Sequence, residues 1–153
     1  SSDLYYRVIF GDTDAMKIVY NANYLRFFEI GRNEFLRELG FTYAELNEKY
    51  DLHFPLAESH VKYRKPAWYD DMLEIRCMVL ELKNASVTIG YEILNRDTQE
   101  LLVTGWTKHA LVDGRMKPVA LRKKVPELER AMKRFVEEGG TVHPGDSHKN
   151  GGQ

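Results

Sequence analysis

Two aspartates, Asp12 and Asp14, lie in a short polar segment between a strand-like run and a segment with helical periodicity. A carboxylate in this position can act as a nucleophile or as a base on water. The start of the following helix presents backbone N–H groups and the positive end of the helix dipole, which favour a developing negative charge. Attack on a carbonyl carbon uses both features. The same Asp-Thr-Asp arrangement is also ordinary turn chemistry, so spacing alone leaves both interpretations open.

A long helix is predicted directly after this acidic segment. Apolar side chains recur at helical spacing from Tyr24 to Leu39, and Gly40 supplies the stop. Asn21 or Asn23 is the predicted N-terminal cap. The apolar face is so wide that we expect a sheet to enclose the helix. The face comprises Tyr24, Phe27, Phe28, Gly31, Phe35 and Leu39, widened by Leu25, Ile30 and Leu36.

The remaining chain predicts two short helices and a series of strands. Thr42, followed three residues later by Glu45, is a capping-box pattern that opens a helix ending at Tyr50. Pro126 opens the last helix, which ends at Gly139-Gly140. The strand spacing after the second helix favours consecutive antiparallel hairpins, a meander. The predicted strands cover residues 4–10, 54–65, 72–83, 86–94 and 101–112.

These elements predict one α+β domain over residues 1–140, in which a five-stranded antiparallel sheet wraps the long helix. The polar, glycine-containing residues 141–153 predict a disordered tail. A length of 153 residues with 43% hydrophobic content is typical of a single globular core. The formal net charge of −1 excludes the broad basic field of a nucleic-acid-binding protein.

The cysteine and apolar content restrict the chemistry and the location. The one cysteine, Cys77, lies in an apolar run, which predicts a buried, inert thiol and excludes an intramolecular disulfide. No histidine lies in metal-ligand spacing with cysteine or carboxylate side chains, so no metal site is predicted. The apolar runs are far shorter than the ~20 residues that cross a bilayer, and the first residues lack the features of a signal peptide. We therefore predict a cytoplasmic protein without a membrane span.

Two segments resemble the signatures of the 4-hydroxybenzoyl-CoA thioesterase-like family, which includes the acyl-CoA thioesterases associated with the Tol-Pal gene cluster. The second segment, Val61–Asp71, is similar to the family pattern strand-Pro-Ala-x-Tyr-x-Asp. The resemblance runs from about Tyr5 to Leu121, nearly the whole predicted domain. In the first segment it is carried by Phe10, Asp14, Ile18-Val19-Tyr20, Asn23-Tyr24 and Phe27-Phe28-Glu29.

The resemblance implies a hot-dog fold and hydrolysis of an acyl-CoA substrate to the free acid and CoA, with no cofactor apart from the CoA of the substrate. Asp14 corresponds to the catalytic aspartate of the family, acting as nucleophile or as general base on water. The backbone amides around Tyr20 and Asn21 would polarise the thioester carbonyl. The aromatic rings of Tyr20 and Tyr24 suit an aryl pocket or a short aliphatic one. Ser86 falls where some members contact the CoA phosphates, and a homodimer or a dimer-based tetramer is implied.

The chain departs from the family pattern at three places. Met16 and Lys17 stand where many relatives have glycine, and an ion pair with Asp12 is one interpretation of the added cation. Asn21 replaces the histidine of the Tol-Pal-associated enzymes, and a basic run that some members carry is reduced to Lys83-Asn84-Ala85. These differences keep a second hypothesis open, a non-catalytic module that binds acyl-CoA or an acyl carrier protein.

Two other carboxylates also allow alternatives. Asp12 either interacts with Asp14 closely enough to raise one pKa or caps a turn in solvent, and we favour the solvent-exposed turn. Glu29 is either a base, as in a different branch of hot-dog thioesterases, or the partner of Arg26 and Arg32 in a structural ion pair, which we favour. A hydratase would use a histidine with an acidic partner on a differently placed helix, and the sequence shows no such arrangement.

Histidine and basic side chains provide further binding candidates. His60 either borders the substrate cleft or is a partly buried, hydrogen-bonded histidine, and we favour the second interpretation for both His60 and His109. Lys62 and Arg64, with Lys65, either form a rim that binds phosphate or protect a solvated strand edge. The sequence leaves both interpretations of these three cations open.

Overall fold

The computed structural model describes residues 4–137. It contains a five-stranded antiparallel sheet with the strand order β1-β3-β4-β5-β2, and the long helix α1 packs against one face of that sheet. This is the predicted α+β hot-dog architecture. In chain order the elements are β1 (Leu4–Arg7), a 3₁₀ turn (Phe10–Asp12), α1 (Asn23–Glu38), α2 (Tyr43–Tyr50), β2 (Leu56–Tyr63), β3 (Met72–Lys83), β4 (Ser86–Asn95), β5 (Leu101–Ala110), α3 (Leu121–Lys124) and α4 (Pro126–Glu137).

The helix α1 approaches the sheet closely along its apolar face. The ring of Phe28, which has no exposed surface, stacks on the ring of Tyr91 with centroids 4.2 Å apart. A Cβ atom at Gly31 would come within 2.8 Å of side-chain atoms of Ile75 and Cys77, so the absence of a side chain there permits the contact with β3. Cys77 is buried, as its apolar neighbours predicted.

The two ends of α1 differ in how well the sequence predicted them. Gly40 has φ +96° directly after the helix, which confirms the predicted stop. The predicted asparagine cap is wrong, because the N-cap is Ala22 and no side chain caps the helix. Asn23 is the first helical residue, and its side-chain amide donates to the backbone oxygen of Asp12 at 2.8 Å. The Asn23 side chain therefore ties the helix to the acidic segment instead of capping it.

The strand β2 does not follow the predicted meander. β3, β4 and β5 are consecutive antiparallel hairpins, but β2 pairs with β5 at the far edge of the sheet. The segment between β2 and β3 hydrogen-bonds to residues 17–19, and this pairing carries the chain across the end of the sheet to β3. All residues of β2 except Val61 are exposed, as expected for an edge strand.

The remaining helices complete the core. The capping box is present at α2, where the Thr42 hydroxyl accepts a hydrogen bond from the Glu45 N–H at 3.1 Å. On α4, the ring of Phe135 packs edge-on against Phe35 of α1 with centroids 4.8 Å apart. The predicted helix end at 139–140 and the predicted tail 141–153 lie outside the described residues. Within residues 4–137, every helix is too short or too polar to cross a bilayer.

Candidate active site

Asp14 is held in a tight turn at the head of the long helix. The Asp14 N–H donates to the Ile18 oxygen at 3.0 Å, and the Lys17 N–H donates to the Asp14 backbone oxygen at 2.9 Å. The Oδ1 atom of Asp14 accepts from the Met16 N–H at 2.8 Å. No group within residues 4–137 donates to Oδ2, and the side chain is half-buried. The turn therefore fixes one carboxylate oxygen and leaves the other available to a ligand.

Asp12 is buried, with 3% of its surface exposed, so the prediction of a solvent-exposed turn is wrong. Its carboxylate accepts from the Tyr6 hydroxyl at 2.8 Å and from the Ile9 N–H at 2.9 Å. Its backbone oxygen accepts from the Tyr20 N–H at 2.9 Å and from the Asn23 side chain at 2.8 Å. Burial, together with the bond to Asp12, raises the pKa of Tyr6. Asp12 thus joins the acidic turn to the start of α1.

No ion pair joins Lys17 to Asp12, although both residues are described. The Asp12 carboxylate uses neutral donors, and the Lys17 side chain is exposed. The interpretation of Lys17 as a counter-ion of Asp12 is therefore wrong.

The amides at the start of α1 are only partly available. The Tyr20 N–H is occupied by Asp12, which removes it as a donor to a substrate carbonyl. The N–H groups of Asn21 and Ala22 have no acceptor within residues 4–137. They lie at the positive end of the helix dipole, where a negatively charged oxygen is favoured. Of the amides predicted to polarise a carbonyl, that of Tyr20 is therefore taken, whereas that of Asn21 and its neighbour at Ala22 have no acceptor among the described residues. The half-exposed ring of Tyr20 faces the surface.

The two signature segments contact each other. The Val19 N–H donates to the Ala67 oxygen at 2.9 Å, and the Tyr69 N–H donates to the Lys17 oxygen at 3.0 Å. Ile18 and Trp68 form an antiparallel bridge between these bonds. The segment around Ala67 is therefore hydrogen-bonded to the residues that follow Asp14 and helps to hold the Asp14 turn in place.

The rings of Tyr24, in the first turn of α1, and Tyr63, at the end of β2, contact each other beside the start of the helix. Tyr24 is buried, and its ring meets that of Tyr63 edge-on with centroids 5.6 Å apart. Burial raises the pKa of Tyr24 to about 12, and a hydrogen bond with the Ala67 backbone acts in the opposite direction. The Tyr63 hydroxyl donates to the Asn21 backbone oxygen at 3.0 Å. The sequence interpretation missed Tyr63, although its two-residue spacing from Val61 places both side chains on the helix-facing side of β2.

His60 and Lys62 point away from the central helix. Val61 lies opposite Gly105, and a Cβ atom at Gly105 would meet the ring of Phe28, so this position faces α1. Side chains alternate along a strand, which puts His60 and Lys62 on the other face. His60 is exposed and stacks on Trp106 with centroids 5.8 Å apart, so its predicted partial burial is wrong.

Arg64 and Ser86 occupy opposite ends of the sheet. Arg64 is exposed just beyond β2, and its N–H donates to the Leu102 oxygen at 2.8 Å. Ser86 begins β4, whereas Asn95 at the end of that strand pairs with Leu73, next to the start of β3 and the acidic turn. Nine residues of strand separate these ends by ~30 Å. Within one chain the structure does not bring Ser86 to Asp14.

His109 is a buried structural residue, as predicted. Its ring bonds to the Phe54 backbone oxygen at 3.1 Å and to the Thr107 hydroxyl at 2.9 Å. The Thr107 hydroxyl in turn bonds to the Tyr91 hydroxyl at 2.6 Å, and Arg32 donates to that hydroxyl at 3.4 Å. Arg32 also lies 3.7 Å from Glu29, which confirms that part of the predicted ion pair, whereas no ion pair between Arg26 and Glu29 forms among the described residues. Within the described residues, no group of three His, Cys, Asp or Glu side chains is placed to hold a metal ion.

The His109 environment predicts acid sensitivity. Burial lowers the pKa of His109 below its ordinary value of 6.5. Below about pH 6.5 the unfolded chain takes up a proton that the folded chain excludes, so the free energy of unfolding falls as the pH falls, with a slope of at most about 1.4 kcal/mol per pH unit. Urea denaturation at pH 7.5 and 5.5 measures this loss. A His109→Gln variant is expected to reduce it, whereas His60→Gln at an exposed position is expected to retain it; equal losses in both variants would contradict this assignment.

A long helix wrapped by a five-stranded antiparallel sheet, with an acidic turn before the helix start, defines a hot-dog domain of the thioesterase type. The chain belongs to the thioesterase-like superfamily, whose family model matches residues 8–136. This finding confirms the resemblance carried by the two signature segments.

Individual relatives agree with this assignment. The chain is 41% identical over 120 residues to the acyl-CoA thioesterase YbgC of Haemophilus influenzae, covering 78% of this chain and 87% of that protein. It is 36% identical over 122 residues to a putative esterase of Aquifex aeolicus, covering 80% of this chain and 92% of the relative. Among solved structures, the DHNA-CoA thioesterase from Staphylococcus aureus matches with a TM-score of 0.82 and 27% identity, covering 93% of this chain and 97% of that one.

Proposed function

We propose that this protein hydrolyses acyl-CoA thioesters to the free acid and CoA. The membership in the thioesterase-like superfamily and the names of the relatives support thioester hydrolysis. The observation that carries the proposal is the arrangement at the head of α1. There a half-buried Asp14, one of whose carboxylate oxygens has no donor among the described residues, precedes the amides of Asn21 and Ala22, which have no acceptor among those residues. A carbonyl group needs an attacking oxygen and donors for its own oxygen, and this segment supplies both.

Two pathways use these groups. In the first, Asp14 takes a proton from water, and the oxygen of that water attacks the thioester carbonyl carbon. In the second, an Asp14 oxygen attacks the carbon itself and forms a mixed anhydride, which water then hydrolyses. In both, the amides of Asn21 and Ala22 stabilise the negative carbonyl oxygen, the C–S bond breaks with its electron pair on sulfur, and the thiolate takes up a proton to give CoA.

A thiol-release assay with a panel of acyl-CoAs tests this function. The panel contains aryl, short aliphatic and longer aliphatic acyl groups, because the rings of Tyr20 and Tyr63 suit either an aryl or an aliphatic group. Hydrolysis of at least one member above the uncatalysed rate supports the proposal. Tight binding of acyl-CoA without release of thiol would instead support a non-catalytic binding module, the alternative that the replacement of histidine by Asn21 keeps open.

We further propose that β2 joins two copies of this chain into a dimer. β2 forms the edge of the sheet, and its outer backbone groups have no strand partner within residues 4–137. Leu56 and Tyr63 at its two ends are 54% and 53% exposed, so each end of the edge presents an apolar or aromatic side chain, while the residues from Glu58 to Lys62 between them are polar apart from Val61. An exposed strand with apolar ends is a surface for pairing with another strand.

The dimer predicts a change of mass on substitution in β2. Ser59 lies near the centre of the strand, and a lysine there places a charge on the pairing edge. Sedimentation of the wild-type protein is expected to give a molar mass of twice the 17.8 kDa of one chain. The Ser59→Lys variant is expected to sediment with the mass of a monomer. Asn47→Lys on the exposed side of α2 is the matched control and is expected to remain dimeric. A monomeric wild-type chain at tens of micromolar would disprove the interface.

A further inference from the structure

The hydroxyl group of Tyr63 is held against the backbone at the start of α1. It donates to the Asn21 backbone oxygen at 3.0 Å, across 42 positions of the sequence. The Tyr24 N–H donates to the same oxygen at 3.5 Å, so Tyr63 makes the shorter of the two contacts. The bond from Tyr63 is therefore the main contact that fixes the orientation of the peptide group between Asn21 and Ala22.

Tyr63 is itself held in place by its surroundings. It is the last residue of β2, which pairs with β5 along its whole length. Directly after it, the N–H groups of Arg64 and Lys65 both donate to the Leu102 oxygen, at 2.8 and 3.0 Å. Its ring meets the buried ring of Tyr24 edge-on. The Tyr63 hydroxyl thus extends from a fixed strand, and a strand positions a functional group more precisely than a loop does.

The carbonyl group that accepts this bond and the N–H group of Ala22 belong to one planar peptide group. The peptide bond has partial double-bond character, so the carbonyl and the N–H share one plane. A hydrogen bond to the carbonyl oxygen fixes that plane and draws electron density away from the nitrogen, which makes the N–H a stronger donor. The Ala22 N–H has no acceptor within residues 4–137, so this strengthened donor can serve a substrate oxygen.

We propose that Tyr63 is a positioning residue for thioester hydrolysis, which orients and polarises the peptide group between Asn21 and Ala22 so that the Ala22 N–H stabilises the negative carbonyl oxygen. This inference rests on the proposed function. The Tyr63 hydroxyl acts through the backbone and not on the substrate itself. Because the negative charge develops in the transition state, the bond raises kcat and contributes little to substrate binding.

A contribution to stability alone does not account well for this bond. The Tyr63 side chain is 53% exposed, whereas that of Tyr24 is 3% exposed, so Tyr63 adds less to the core. A partly exposed hydroxyl exchanges a bond to water for the bond to Asn21, and such an exchange changes the stability of the fold only slightly. Removal of the hydroxyl is therefore expected to affect the reaction more than the fold.

Tyr63→Phe removes the hydroxyl group and keeps the ring contact with Tyr24. One donor to the carbonyl oxygen is worth about 10²–10³-fold in kcat, and a bond that belongs to a hydrogen-bonded chain is strengthened by about 10–30%. On a logarithmic scale these values predict that kcat falls about 2- to 8-fold. KM is expected to stay within about 2-fold of the wild-type value. Thiol release over a range of acyl-CoA concentrations separates the two constants.

Tyr5→Phe is the matched control. Tyr5 is 46% exposed on β1, the opposite edge strand, and its hydroxyl forms no hydrogen bond within the described part of the chain. Both variants are expected to keep Tm within about 2 °C of the wild type, and Tyr5→Phe is expected to keep its kcat. An unchanged kcat in Tyr63→Phe would overturn the inference, and so would an equal loss in both variants. A rise in KM that accounts for the whole loss would also overturn it, because the hydroxyl would then be a substrate contact.

An NMR measurement tests the bond even if no thioester is hydrolysed, an outcome that would count against the proposed function alone. The carbonyl ¹³C resonance of Asn21 and the amide ¹⁵N resonance of Ala22 respond to hydrogen bonding at the peptide group that joins them. Both resonances are expected to shift in Tyr63→Phe and to stay at their wild-type positions in Tyr5→Phe. Unshifted resonances in Tyr63→Phe would refute the proposal that this hydroxyl orients the peptide group.

Discussion

Asp14→Asn is expected to lower kcat for acyl-CoA hydrolysis by about 10³-fold or more while leaving Tm within about 2 °C of the wild type. An asparagine side chain keeps the oxygen that accepts the Met16 N–H, so the turn is preserved. It loses the negative charge and the basicity that either pathway requires, and general-base groups contribute about 10²–10⁴-fold to rates. Thiol release under saturating substrate measures kcat, and a thermal scan of the same sample measures Tm.

Asp113 is the matched control for this substitution. Its Oδ1 atom accepts from the N–H groups of Arg115 and Lys117 at 2.8 and 3.1 Å, an arrangement similar to that around Asp14. Asp113→Asn therefore makes the same chemical change in a similar turn, away from the head of α1, and is expected to retain activity. An Asp14→Asn enzyme that turns over at the wild-type rate would remove Asp14 from the mechanism. An equal loss in both variants would show that the assay reports turn stability and not chemistry.

Local patterns predicted the elements better than their arrangement. β3 has the predicted bounds, Met72 to Lys83, because apolar side chains alternate along it between clear breaks. Gly40 ended α1 as predicted, since glycine tolerates the left-handed backbone there. The place of β2 in the sheet was not predictable in the same way. Its pairing with β5 depends on which edge remains free after β3, β4 and β5 associate, and no local pattern encodes that choice.

The site shows the same division between local and long-range information. The resemblance singled out Asp14, and its turn geometry follows from neighbours within four residues. The burial of Asp12 was missed because it depends on the hydroxyl of Tyr6, which belongs to a separate strand. Tyr63 was missed because its contact with Asn21 joins residues 42 positions apart. Spacing along a sequence gives no measure of such contacts.

Gly105 is the glycine whose replacement is expected to cost the most stability. A Cβ atom there would lie 2.5 Å from the His60 backbone oxygen and 2.7 Å from the ring of Phe28. The oxygen belongs to the paired strand β2, and the fully buried ring stacks on Tyr91, so neither can move without disturbing the core. Gly105→Ala is therefore expected to lower the free energy of unfolding by about 2–3 kcal/mol, measured by urea denaturation.

Hydrolysis by the same variant is expected to fall in proportion to the fraction that remains folded, because Phe28 holds α1, and with it the amides of Asn21 and Ala22, against the sheet. Gly11→Ala is the matched control, since the nearest atom to its Cβ would be Ile9 Cδ1 at 3.9 Å. Its free energy of unfolding is expected to stay within about 0.5 kcal/mol of the wild type. Equal stability of the two alanine variants would mean that β2 and α1 can move apart enough to accommodate the added methyl group at little cost in free energy. The position of the helix start relative to Asp14 would then require an explanation other than the close packing of α1 on the sheet.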